Sequence, residues 1–469
     1  MRNSGVAAFV IVSLAACGGG GGKTNDMSAP GGDDLAVVAD LSGTDGAAKP
    51  DAATGDGGSS SVTPLSACST VEVDTLGGIQ VAEGQKTISY GGKYFATWLQ
   101  AASITPDGLQ HWKARYFDGT AFQTEIDLGA NYGGDPLNGA VDKHGTGFLQ
   151  GLGVGSGVGI RWVADMNAGT IATPTTFTIF DHTLSFALAG LSTGAISVYG
   201  TGTNPGTDTA DLYGSGVWTN TGYNAGVATG VEIHAAVNAS NQGAATWYIA
   251  NAGSTYTLYV ATFNGTSFAA PVSRLFPATG GASINYRFAP LSNGDLAFAW
   301  NGVGGLGVVF TTFHVGTSTW DPDQTLDTTA TASEVPPIIL ADGSDRLTVG
   351  WVRKSTVNPN FTDLVVLRRL DGTTWSTPKE LGVAEYTLMK LDPSGNPVAA
   401  LYQVNVTGLT VTRAAADSNT WDTPVSTGVD GESVILPYAD IAFTAAGDPV
   451  VIATNVPATT PQVSASTCH

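Results

Sequence analysis

The chain has 469 residues, 42% of them hydrophobic and only 12% charged, with 62 glycines and a formal net charge of −20. Charged side chains at about half their usual share, beside so much apolar and β-branched content, exclude a disordered chain and a helical one. The acidic field excludes nucleic acid as a partner, because a phosphate backbone would be repelled.

Residues 1–17 read MRNSGVAAFVIVSLAAC. Arg2 supplies a positive start, and an apolar core of eleven residues, VAAFVIVSLAA, follows, too short to span a bilayer as a helix. The run ends in Leu14-Ala15-Ala16-Cys17, followed by five glycines. This resembles the lipobox of bacterial lipoproteins. The resemblance implies that 1–16 is a cleaved signal, that Cys17 is lipidated, and that the membrane is a partner through that lipid. Gly rather than Asp at position 18 implies an outer-membrane lipoprotein, on the surface or periplasmic face of the envelope. Residues 17–67 then form a tether. Positions 18–67 hold no aromatic residue and seven Asp, too little to offset the entropy of folding, so a disordered acidic spacer of about 40 Å is expected.

From residue 68 to the end the chain repeats. Turn glycines fall at Gly92, Gly145, Gly194, Gly243, Gly294, Gly343, Gly395 and Gly447, spaced 49 to 53 residues apart. Large residues follow each one: Trp98, Leu149, Tyr199, Trp247, Trp300, Trp351, Tyr402 and Ile452. A third landmark closes a second turn, at Phe122, Phe177, Trp218, Phe268, Trp320, Trp375 and Trp421. Residues 231–276 show the unit whole: four short apolar or alternating strands bounded by Gly, Asn, Asp and Ser. Such a unit cannot bury both faces of its sheet, whereas a ring of units can. The expected fold is all-β, an eight-bladed β-propeller of four-stranded antiparallel blades, with a seven-bladed ring as the alternative. Sandwich modules need about twice this period.

The third landmark occurs seven times and the others eight. Its eighth copy would fall beyond the last residue, while one period before Phe122 lies the strand-like CSTVEVDTLGG at 68–78. The last blade is therefore expected to be composite, with three strands from 435–468 and the fourth from 69–76. That places Cys68 beside Cys468 on neighbouring antiparallel strands, within disulfide reach. With Cys17 taken by lipid, these two thiols are expected to pair and close the ring.

Chemistry is harder to find. The six histidines make no HxxxH pair and there is no CxxC, so no metal site or cofactor is expected. No GxSxG elbow occurs, and the glycine run at 151–159 precedes no helix. The turns Asp371-Gly372-Thr373-Thr374-Trp375 and Asp118-Gly119-Thr120-Ala121-Phe122 resemble the Asp-box of sialidase-like propellers, although Asp and Gly are adjacent here rather than two apart. That box braces a turn even in the enzymes. A sialidase-like activity would further imply three arginines on a substrate carboxylate and a Tyr–Glu nucleophile pair.

Nine or ten residues before each turn glycine, where the inner strand is expected to begin, stand Glu83, Asp135, Ser185, His234, Asn285, Glu334, Glu385 and Tyr438, with Tyr286, Arg287 and Tyr386 adjacent. These would ring one mouth of the channel, able to orient a polar ligand or hold a cation such as calcium. The longest connections between second and third strands, at 100–110, 200–209 and 353–362, lie on that face. The functional expectation is a monomeric, lipid-anchored, cell-surface binding module for a protein or a glycan. The alternative is a sialidase-like or other carbohydrate-active enzyme.

Overall fold

The computed structural model describes residues 62–74, 86–100, 105–131, 137–153, 157–179, 186–201, 207–228, 231–251, 255–276, 285–302, 306–330, 335–354, 362–384, 386–403, 408–429, 439–455 and 462–469. Among the described residues every regular element is a strand. The strands form eight antiparallel sheets of four, two of which carry one extra short strand. The innermost strands, in chain order, are Lys86–Tyr90, Asn138–Val141, Phe186–Gly190, Val231–Val237, Tyr286–Pro290, Ile338–Ala341, Tyr386–Leu391 and Ala439–Phe443. Each touches the next, and the last touches the first. The protein is an eight-bladed β-propeller, and the blades are numbered 1 to 8 in that order.

Burial explains why the middle strands read as continuous apolar runs. Both faces of a blade pack on neighbours, so all six residues of Leu296–Asn301 are buried, and of Lys93–Gln100 only the first is not. Outer strands alternate or lie open, as in Val272–Phe276. Every joint between blades has its own core. Tyr94, Trp98 and Ile452 fill the joint between blades 8 and 1, Ile88, Trp112 and Leu149 that between 1 and 2, and Tyr248, Tyr286 and Phe298 that between 4 and 5.

The turn after each inner strand is where the repeated glycine acts. Gly92 has φ +80°, and a Cβ there would lie 2.4 Å from the backbone nitrogen of Ala445 in blade 8. Gly243 and Gly343 do not hold the left-handed position; Asn241 (φ 62°) and Asp345 (φ 60°) take it instead. Both use their side chains to reach the preceding blade. The Asn241 Nδ2 donates to Ser192 Oγ at 2.7 Å, and the Ser292 nitrogen donates to Asp345 Oδ1 at 2.6 Å.

Blade 8 is composite. Its strands Ala439–Phe443, Pro449–Asn455 and Gln462–Cys468 are completed by Cys68–Glu72, with Cys68 opposite Cys468 and Glu72 opposite Ser464. Cys68 and Cys468 are disulfide-bonded across 400 residues of chain. Thr63, Leu65 and Ser66, expected in the tether, touch the ring. Arg413 donates to the Thr63 carbonyl, Leu65 is buried in the core between blades 7 and 8, and the Ser66 nitrogen donates to the carbonyl of His469 at 2.6 Å. The lipobox and Cys17 lie outside the described residues.

One landmark, Phe177, differs from the sequence reading, and two others share the spacing but not the orientation of the rest. Tyr402 and Ile452 face the following blade, whereas Leu401 and Val451 face the preceding one as Trp98 and Trp247 do. A shift of one residue along a strand reverses the face. Phe177 sits on the outer strand of blade 2 rather than at its turn, where Ile171 pairs with Ala164.

Candidate functional site

In an antiparallel blade the first strand ends, and the fourth begins, on one face of the ring; the first strand begins on the other. Cys68 marks the former face, since His469, next to Cys468, bonds Asp448 in the first turn of blade 8 at 3.1 Å. The candidate site is the opposite face, where the inner strands start.

His234, Tyr286 and Arg287 come together there, at the joint between blades 4 and 5, and Asn285 precedes them with its carbonyl accepting from the Asn301 nitrogen at 3.0 Å. His234 lies in the inner strand of blade 4, and its imidazole sits edge-on to the Tyr286 ring at 5.1 Å. Arg287 Nη1 lies 3.4 Å from His234 Nε2 and donates to the Tyr286 carbonyl at 2.8 Å. Glu232 Oε2 stands 3.9 Å from the same Nε2. Arginine has only donors to offer, and it is the nearer neighbour. On that ground Nε2 is assigned as the acceptor and the imidazole proton is assigned to Nδ1. That Nδ1 is buried and has no partner. Burial, reinforced by the Arg287 charge and opposed by Glu232, pushes the His234 pKa down to about 4. The group is a neutral imidazole with an unanswered donor. Tyr286 donates to Thr246 Oγ1 at 3.0 Å, and burial raises its hydroxyl well above the ordinary range.

A second buried group occupies the far side of the ring, on the inner strands of blades 1, 7 and 8. Lys390 Nζ bonds Asp440 Oδ1 at 2.8 Å and the Ile441 carbonyl at 2.9 Å. Thr87 donates to Asp440 Oδ2 from both its nitrogen, at 2.7 Å, and its hydroxyl, at 2.9 Å. Burial alone would raise the Asp440 carboxyl; the charges of Lys390 and Lys86 and these hydrogen bonds outweigh it and hold the pKa low. The sequence reading missed this group. A lone charge inside an apolar inner strand, as in YTLMKL and ADIAF, was its signal, because a buried charge must be paired.

Of the other expected rim residues, Glu83, Asp135, Ser185, Glu334, Glu385 and Tyr438 lie outside the described residues. Tyr386 opens the inner strand of blade 7 opposite Tyr402. Among the described residues no three His, Cys, Asp or Glu groups converge as a metal site would require.

The Asp-Gly turns are braces. Asp118 accepts from the nitrogens of Thr120 and Ala121 at 2.8 and 2.9 Å, and Asp371 does the same for Thr373 and Thr374. Hydrogen bonds from the Thr120 hydroxyl and from these nitrogens hold Asp118 at about 2. The nine arginines after the signal are also placed. Arg161 stacks 3.8 Å over Phe177 and pairs with Asp211 at 2.7 Å. Arg353 pairs with Asp327 and Glu380, Arg274 with Asp323 and Arg346 with Asp342. Arg368 caps carbonyls of Ala415, Ala416 and Ser418. Arg115 bonds the Val73 carbonyl, Arg369 lies over Trp375 and Arg413 reaches Thr63. Only Arg287 belongs to an inner strand.

No family model and no curated protein matches the chain. Solved structures do. A prolyl endopeptidase shares 12% identity at a TM-score of 0.47, over 79% of this chain and 53% of its own. A puromycin hydrolase shares 13% at 0.45, over 80% and 59%. The Aleuria aurantia lectin, a six-bladed β-propeller with fucose recognition, shares 12% at 0.37, over 66% and 97%. The chain spans about half the length of the endopeptidase. At such identities and TM-scores these likenesses bear on neither ligand nor reaction.

Proposed function

We propose that the protein is a lipid-anchored envelope propeller that binds a ligand, a protein or a glycan, on the face where the inner strands begin. One observation carries this reading: at the joint of blades 4 and 5 a buried neutral histidine beside Arg287 keeps a donor without a partner. Other buried donors also lack a partner among the described residues, such as the Trp98, Trp112 and Trp247 Nε1 atoms in the joint cores; His234 is set apart by standing on an inner strand against the charged Arg287.

The sialidase-like alternative draws no support from the arginines, since eight of the nine lie on a turn or on second to fourth strands, engaged with neighbours there, and no three share a site. The test is a glycan array and a cross-linking capture of envelope proteins, each run with wild type and Arg287→Gln at matched folded content. Saturable binding that weakens about tenfold or more in the variant, the loss of one charge-assisted contact, supports the proposal. Binding indifferent to Arg287 would place the ligand elsewhere. Growth in [3H]palmitate with wild type and Cys17→Ser tests the anchor by itself.

A further inference from the structure

The geometry points to a mechanical role for the Cys68–Cys468 bond: it carries tension from the tether past an exposed edge strand and into the middle of blade 8. This rests on the anchor reading for the origin of the pull, but not for its path. Residues 62–67 are the way into the ring, held by Arg413 on the Thr63 carbonyl, by the Leu65 nitrogen on Asp422 Oδ2 at 3.2 Å, and by Ser66 on the His469 carbonyl. The next residue is Cys68.

Beyond it, the strand Cys68–Glu72 is poorly buried. Its last four side chains are exposed, Val71 at 52%, and it pairs with one neighbour only. Its side-chain bonds outside the ladder are few, chiefly Thr70 Oγ1 to the Thr427 carbonyl at 2.6 Å and to Ser466 Oγ at 2.8 Å. A five-residue edge strand with so little apolar burial would be drawn off pair by pair. Once the backbone bonds of Ser66 and Ala67 to His469 give way, Cys68–Cys468 is the first pair of the strand ladder that a pull from the N-terminal side reaches. The bond passes that pull to Gln462–Cys468, a strand with partners on both sides and five of its seven residues buried. Without the bond, blade 8 would lose its fourth strand and the ring its closure.

The experiment is force spectroscopy on the full chain, oxidised wild type against Cys68→Ser/Cys468→Ser, in two geometries. In the first, handles sit at the N-terminus and at exposed Leu275 on the outer strand of blade 4; in the second, at Leu275 and at exposed Val383 on the outer strand of blade 6. The expected result is a lifetime under constant pull at least about tenfold shorter for the variant in the first geometry, with little change in the second. Equal lifetimes in the first geometry, or an equal loss in both, would overturn the inference; the latter would make the bond a general staple. The handles apply the pull whether or not Cys17 carries lipid, so failure here and failure of the anchor are read separately.

Discussion

Two joints of the ring place charged side chains on inner strands near the channel, and they resolve the burial differently. At the joint of blades 8 and 1, with Lys390 reaching across from blade 7, Asp440 uses both oxygens: one takes Lys390, the other two bonds from Thr87. At the joint of blades 4 and 5, Arg287 meets His234 at a long 3.4 Å, Glu232 stands off at 3.9 Å, and Nδ1 meets nothing. The first joint is complete within the chain, whereas the second lacks an acceptor. Burial of charge is therefore not by itself a sign of function, and the second joint is set apart by the donor it leaves unanswered beside Arg287.

The largest effect is expected at the complete joint. Asp440→Ala would strand Lys390 in the interior, and removing one partner of a buried pair costs about 3–5 kcal/mol. Chemical denaturation should show that loss, and a loss under about 1 kcal/mol would mean that the pair is solvated. Lysine replaced together with the aspartate, as Lys390→Met/Asp440→Ala, should recover part of it.

The incomplete joint should announce itself through pH. His234 has a pKa pushed down to about 4 in the folded chain against about 6.5 unfolded. Between those values the unfolded chain binds the extra proton, so stability falls as pH falls through that window, by at most about 3 kcal/mol. His234→Gln should flatten the dependence. A melting temperature equally pH-sensitive in the variant would remove His234 as its source. The opposite sign is expected on the surface. His314, between Asp295 at 2.8 Å and Asp321 at 3.0 Å, is raised by those bonds. Its small contribution is complete below the unfolded pKa and fades as pH rises through the folded one.

Turn glycines offer a finer comparison of the same joints. At Gly92 a new Cβ meets the Ala445 backbone at 2.4 Å, and at Gly294 it meets the end of the flexible Gln242 side chain at 3.0 Å. Gly294→Ala should cost only the left-handed penalty of about 1–2 kcal/mol. Gly92→Ala should cost more, because blade 8 must move. Equal costs would mean that the two turns pack alike.

Much of the ring was legible because its cause is periodic. One blade every 49 to 53 residues is a covalent fact, and the count of landmarks located the composite blade and its cysteines. What escaped was which way a residue faces. Tyr402 and Ile452 carry the right bulk at the right distance from the glycine, but a shift of one residue turned them to the next blade. Gly343 matched the repeat, yet Asp345 holds its left-handed position, since aspartate tolerates that region and gains a bond to Ser292. At the site, His234 and Arg287 were found by counting from the turns. Their contact was not, because it joins strands 53 residues apart. Lys390 and Asp440 sit inside apolar strings whose pattern signals only core, and their pairing joins two different blades.

The central claim, that the incomplete joint is the one that binds, is tested most directly by titrating the strongest array or capture hit into wild type and His234→Gln at pH 7. There the wild-type imidazole is neutral and its Nδ1 proton is the donor in question. The variant should melt within a few degrees of wild type and bind at least about tenfold more weakly. A variant that folds as well and binds as tightly would show that His234 faces no ligand.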